Sequence, residues 1–245
     1  MRWPGMHPEH HELNYLVTQA KALHLREYIR SFMNPDDRSV GRPDFSYPVH
    51  TLYLDSKGLQ LYDALVMRHR NSIQLRLRSY GASLETGVFV ETKRWAGNLI
   101  TKERGAVRSE CVPSLLQGVV PPSTEFVDRS PQATVAVENF IRLMDEVEAV
   151  PMVQISYLRE GYADEKGSAR INFDRHIQAE CHFTPRISPP QSNAHPCFEG
   201  KVMLEMKFIE RFPNWFIGLV EHFNLEEFDT SKYIVAMQAV GLASP

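Results

Sequence analysis

Charged and apolar residues alternate along much of this chain, and the alternation predicts most of its elements. It is clearest in Gln74-Leu75-Arg76-Leu77-Arg78, Val90-Glu91-Thr92-Lys93, Arg170-Ile171-Asn172-Phe173-Asp174 and Leu204-Glu205-Met206-Lys207. Side chains two apart in a strand share a face. Leu75, Leu77, Val90, Ile171, Leu204, Met206 and Phe208 therefore fall on one side, and Arg76, Arg78, Glu91, Lys93, Arg170, Glu205 and Lys207 on the other. The pattern predicts strands over 12–18, 47–55, 73–80, 87–95, 99–107, 152–159, 169–177 and 201–210. The 152–159 stretch alternates least well, because Arg159 shares its face with Tyr157 and Ile155. Helical spacing takes over at 19–33, 131–149 and 214–228, with shorter helices or turns at 62–68 and 111–118. Asn34-Pro35, Pro121-Pro122 and Pro151 mark stops, Gly81 and Gly97-Asn98 mark turns, and the proline-rich stretch 184–200 reads as an irregular loop. There is no internal repeat and no low-complexity tract.

A charged strand face has two readings. One is a solvated sheet with cross-strand ion pairs. The other is a shared interior, reached if about eight antiparallel strands close into a barrel with their apolar side outward under the helices. Matching charges in so many separate strands favour the second, an α+β fold in which a closed, tunnel-like barrel is flanked by helices. Such a lumen needs a counter-ion. Two like charges about 6 Å apart repel by roughly 2–3 kcal/mol at an effective dielectric near 20. A polyanion relieves this, with arginine giving bidentate contacts to phosphate and lysine point charges. The minority of carboxylates fits a divalent cation that bridges phosphate oxygens.

Composition narrows the setting. A chain of 245 residues, 43% hydrophobic, carries enough apolar side chains for one large core, so residues 1–245 are expected to form one domain. A formal charge of −3 confines any strongly positive region to one place and argues against nucleic acid as a partner. Three cysteines form no disulfide framework and point to a reducing compartment. The N-terminus lacks the pattern of a secretory signal, and no apolar run is long enough for a spanning helix. A cytoplasmic location is expected.

The charged stretches, taken in order, resemble the VTC (vacuolar transporter chaperone) domain, the polyphosphate polymerase branch of the triphosphate tunnel metalloenzymes, also called CYTH-like. Glu12-Leu13-Asn14-Tyr15-Leu16-Val17, Thr51-Leu52-Tyr53-Leu54-Asp55, Gln74 to Gly81, Val90-Glu91-Thr92-Lys93-Arg94 and Lys102-Glu103-Arg104 carry the resemblance. So do Tyr157-Leu158-Arg159, Arg170 to Asp174, Leu204-Glu205-Met206-Lys207 and Ser231-Lys232-Tyr233. The resemblance implies an eight-stranded tunnel that takes the terminal phosphoryl group of a nucleoside triphosphate such as ATP and adds it to polyphosphate. It implies phosphate binding by Arg76, Arg78, Lys93, Lys102, Arg159, Arg170 and Lys232, with Lys207 as a further contact on the face of Glu205. Glu205 is implied as the ligand of Mg2+ or Mn2+, with Glu91 and Glu12 as weaker candidates that act through water or pair with a neighbouring cation. Arg76, Arg78, Lys93 and Glu205 are the implied catalytic set. Hydrolysis of triphosphate in the same site, and binding without turnover, stay open. No membrane segment is predicted, which leaves room for a membrane-protein partner.

One position departs from the family pattern, since Asn14 stands where a lysine precedes the tyrosine of the first strand. His10 and His11 also stand where other branches carry an acidic residue. Other signals are weaker. Cys181-His182 and His195-x-Cys197 match no zinc spacing, Asp174 reads as a turn cap, and His7, His10 and His11 read as part of a solvated terminus. The three tryptophans outline no base pocket, and no GxxxxGK[ST], GxSxG or HExxH motif occurs.

Overall fold

The computed structural model describes residues 7–42, 44–69, 71–81 and 87–244; Met1 to Met6 of the predicted solvated terminus lie outside them. Ten strands form one sheet: β1 (His7–Val17), β2 (Asn34–Pro35), β3 (Ser46–Asp55), β4 (Ile73–Tyr80), β5 (Val88–Ala96), β6 (Leu99–Val107), β7 (Val150–Ala163), β8 (Ala169–Cys181), β9 (His195–Pro196) and β10 (Val202–Phe208). Eight of them run in the order β7-β3-β4-β5-β6-β1-β10-β8, and β8 pairs back onto β7. Every pairing is antiparallel, so the expected closed barrel is the observed one. The two-residue strands β2 and β9 are additions on β7 and β8.

The alternating pattern sorts as anticipated. Leu75, Leu77 and Val90 face outward and pack with α4 (Pro131–Glu146), whose Ala133, Val137, Phe140, Ile141 and Met144 are buried there. The helix starts where Pro131 follows Ser130, whose side chain accepts the Ala133 N–H. Its close approach to β6 requires Gly105, because a Cβ there would lie 2.5 Å from the Ala133 carbonyl oxygen. On the opposite wall Ile171, Leu204, Met206 and Phe208 pack with Leu25 and Ile29 of α1 (Gln19–Ile29) and with Phe216 and Leu219 of α5 (Asn214–His222). Of the remaining helices, α2 (Gln60–Val66) follows β3 and α3 (Val112–Leu115) follows β6.

Three expectations need correction. The chain forms strand from His7 onward, and His10 is buried opposite Ile100 of β6, so this stretch is held rather than solvated. The helix expected over 214–228 stops at His222, two residues before Asn224 turns left-handed at φ 43°. A separate helix, α6 (Lys232–Ala239), begins instead behind Ser231, whose side chain accepts the Ile234 N–H. Asp174 caps no turn; it lies inside β8 opposite Arg159. Among the described residues no helix is long and apolar enough to cross a membrane.

The barrel interior as candidate functional site

Strand register builds the interior. Pairing across β4 and β5 sets Arg76 opposite Glu91, β5 and β6 set Glu91 opposite Arg104, and β1 and β10 set Glu12 opposite Lys207 and Asn14 opposite Glu205. From β8, Asn172 faces Glu205 and Arg170 faces Lys207. α6 brings Lys232 in from one end, its ring neighbour Tyr233 stacked on Tyr53 at 4.9 Å and donating to Asp55 at 2.7 Å. A cavity of about 510 Å³ opens here, lined among others by Glu12, Asn14, Tyr53, Arg76, Arg78, Lys93, Tyr157, Glu205 and Lys232.

The charges form three clusters, two of them joined through Lys207. Glu91, fully buried, gathers Arg76 at 2.8 Å, Lys102 at 2.5 Å, Arg104 at 3.2 Å and Arg78 at 3.8 Å. Burial alone would raise its pKa, but these four cations outweigh burial and hold it well below the usual carboxylate range. Glu205 takes Arg159 at 2.8 Å, Lys207 at 3.3 Å and Lys232, while Asn172 donates to it at 3.1 Å. Arg159 forks onto Asp174 with two contacts of 2.7 Å, and Lys232 reaches Asp174 at the same distance. Glu12 joins Lys93 at 3.1 Å and Lys207 at 3.2 Å.

Every residue singled out as a phosphate holder lies in this interior network. Arg170 sits at its edge, engaged by Asp36 and 3.4 Å from the Tyr47 hydroxyl. Two members went unassigned in the sequence. Arg104, which packs 3.6 Å from the Phe89 ring, belongs to a quoted motif and shares the inward face of Lys102. Asp36 lies in a segment without alternation and gave no signal.

Among the described residues, nine cations (Arg76, Arg78, Lys93, Lys102, Arg104, Arg159, Arg170, Lys207 and Lys232) thus meet five carboxylates (Glu12, Asp36, Glu91, Asp174 and Glu205) in this network, an excess of four positive charges. The excess shows on the lysines. Burial, with Lys207 and Arg76 nearby, draws the Lys93 ammonium down to about 8 in spite of Glu12, and burial holds Lys102 well below the usual ammonium range. Burial would also lower Lys232, but Asp174 and Glu205 raise it above the ordinary value.

For a divalent cation, the available donors are the Glu12 and Glu205 carboxylates, which meet at Lys207, and the Asn14 Oδ1 atom, which is buried without a hydrogen-bond partner. All are hard oxygen donors of the kind Mg2+ and Mn2+ accept, so the residues fit such an ion. Among the described residues no three His, Cys, Asp or Glu side chains gather as a ready cage. The phosphate oxygens of a ligand would have to complete the shell. The Cys181-His182 and His195-x-Cys197 pairs build no zinc site either: Cys197 is buried, Cys181 is exposed, and His182 Nε2 contacts the Arg186 carbonyl and the Thr184 hydroxyl.

The fold and its interior define a closed antiparallel barrel built around a buried cluster of cations. A family model for the VTC domain matches residues 9–241, nearly the whole chain, and the chain belongs to that family, which is associated with polyphosphate polymerases. No curated protein matches it. Among solved structures it is similar to the PH1819 protein of Pyrococcus horikoshii OT3, with 11% identity, TM-score 0.45 and coverage of 92% of this chain and 96% of that one. It is also similar to the PH1012 protein of the same organism, with 9% identity, TM-score 0.48 and coverage of 94% and 99%. A conserved hypothetical protein of Pyrococcus furiosus matches with 11% identity, TM-score 0.43 and coverage of 92% and 99%.

Proposed function

We propose that this chain transfers the terminal phosphoryl group of a nucleoside triphosphate to a growing polyphosphate inside the barrel. One observation carries the reading: a cavity of about 510 Å³ opens onto Arg76, Arg78, Lys93 and Lys232, which belong to an interior ion-pair network with four more cations than carboxylates. A triphosphate brings about that much negative charge. Membership in the VTC family supports polyphosphate as the product.

Phosphoryl transfer asks the protein chiefly to align the donor and acceptor oxygens and to neutralise the charge on the transferred group. Arg76, Arg78, Lys93 and Lys232 line the cavity as donors, and Lys102, Arg159, Arg170 and Lys207 belong to the ion pairs around it. Because each already leans on a carboxylate, its rotamer is largely fixed before ligand arrives, which reduces the ordering penalty of binding. Phosphate oxygens exchange with those carboxylates as partners of the lysines. That exchange frees Glu205 and Glu12, which together with Asn14 would hold Mg2+ or Mn2+. The ion would supply bridging of phosphate oxygens and further neutralisation of charge. Arg159 keeps its two contacts to Asp174 throughout and serves as the fixed point from which Glu205 is oriented.

Incubation with ATP and Mn2+, followed by removal of the paramagnetic ion and phosphorus NMR, tests the reading. Signals of interior chain phosphates are expected. Orthophosphate without chains would replace transfer by hydrolysis, and binding without any turnover would reduce the barrel to a binding module. The protein is expected to act where ATP is present, in the cytoplasm, without nucleic acid as a partner.

A further inference from the structure

A second cavity, of about 460 Å³, lies on the outer wall of the barrel and is separate from the interior network. Its walls come from α1, from the outward faces of β7 and β8, and from the residues just before β3. Arg26, Arg30, Arg175 and His176 supply basic groups, Glu160 sits at its base, and the exposed Asp44 also lines it, 3.6 Å from Arg175, a contact that a bound anion would have to replace. Glu160 faces away from the lumen because it follows Arg159, which points inward.

Two features set this pocket apart from an ordinary basic surface. First, Glu160 is only 2% exposed, and its two oxygens are unequally satisfied. Oε1 accepts the Arg26 Nε–H at 2.7 Å and the Tyr162 hydroxyl at 2.5 Å, and Arg30 in turn reaches that hydroxyl. Oε2 has no hydrogen bond, with Arg175 standing 3.9 Å away. A buried carboxylate oxygen left in this state is destabilising, so a ligand donor that reached it would be favoured. Second, β8 carries one extra residue against β7 between Ser156 and Leu158, and His176 takes a left-handed φ of 53° at that bulge. Bulges turn a side chain away from the regular face. Here the exposed His176 joins the arginines.

The two halves of the pocket ask for different groups on one ligand. Arg30, Arg175 and His176 favour an anion. Glu160 Oε2 repels one and requires a donor. We infer that this outer pocket binds a small phosphorylated polyol, its phosphate on Arg30, Arg175 and His176 and a hydroxyl donating to Glu160 Oε2. Inorganic triphosphate, which offers acceptors only, belongs in the barrel interior and is disfavoured here by Glu160.

Ribose 5-phosphate is a suitable probe, titrated by calorimetry into protein already saturated with inorganic triphosphate. One additional site is expected. Arg30→Ala, at the exposed residue that follows α1, is expected to weaken this site about tenfold, the loss of one charge-assisted contact, and to leave triphosphate affinity unchanged. Glu160→Gln is expected to reverse the selectivity, weakening ribose 5-phosphate while inorganic phosphate binds more tightly. The inference is overturned if triphosphate-saturated protein takes up no ribose 5-phosphate, or if both variants bind it as the parent does. Either result leaves the reading of the interior untouched, because the interior is filled before the titration begins.

Discussion

Replacing Glu91 with glutamine keeps the shape of the side chain and removes the one carboxylate on which four cations converge. Glu91 has no exposed surface, and Arg76 and Lys102 lie within 2.8 Å of it. Removing one partner of a buried ion pair destabilises by about 3–5 kcal/mol, because the remaining charge stays desolvated. For a chain of this size each kcal/mol corresponds to about 2–4 °C in melting temperature, so Glu91→Gln is expected to melt about 6–20 °C lower. The loss depends on pH. Without Glu91 the folded pKa of Lys102, already below its unfolded value, drops further, so the unfolded chain binds more protons over the interval between the two. Stability of the variant therefore rises with pH across that interval, and its deficit against the parent narrows. Inorganic triphosphate should replace the missing negative charge, at 100 times its dissociation constant adding about 2.7 kcal/mol, and its dissociation constant should be lower for the variant. Differential scanning calorimetry at pH 7 and pH 9, with and without triphosphate, measures all three effects. A variant as stable as the parent, or one that gains less from triphosphate than the parent does, refutes the idea that Glu91 stands in for a bound anion.

Three further outcomes follow from the same geometry. Lys93, with its ammonium at about 8, should hold phosphate well below that pH and lose affinity above it, since deprotonation removes a charge that the bound anion would otherwise stabilise; triphosphate titrations from pH 6.5 to 9.5 should show a decline beginning near 8. Asn14→Lys places a cation opposite Glu205, and triphosphate affinity measured by calorimetry should rise by about tenfold, one charge-assisted contact. Gly161→Ala would set a Cβ 2.3 Å from the Asp36 carboxylate, so it should detach Asp36 from Arg170 and lower the unfolding free energy by about 1–3 kcal/mol in denaturant titration.

The barrel was legible because alternation over β4, β5, β8 and β10 is strict, and a charged inner face leaves a period of two that propensity alone would not. The cationic side chains were legible for the same reason. Their partners were harder to read. Glu91 and Asp174 pair with cations across neighbouring strands, a relation that depends on register and closure rather than on spacing along the chain. Asp36 enters the network from an irregular turn anchored by its own carboxylate, which accepts the Arg38 and Ser39 N–H groups, so no periodicity marks it. α6 is short, and its onset at Ser231 lies just beyond a predicted helix that ran too long. The burial of His10 depends on pairing with β6 from far along the chain.

Transfer of label from [γ-32P]ATP into acid-insoluble polyphosphate chains, followed side by side in the parent and in Arg78→Ala, tests transfer inside the barrel most directly. Label is expected in polyphosphate with the parent, and about one order of magnitude less, or lower still, with Arg78→Ala, whose guanidinium is buried beside Glu91 and Thr51. Label found only in orthophosphate, or equal transfer by both proteins, would contradict it.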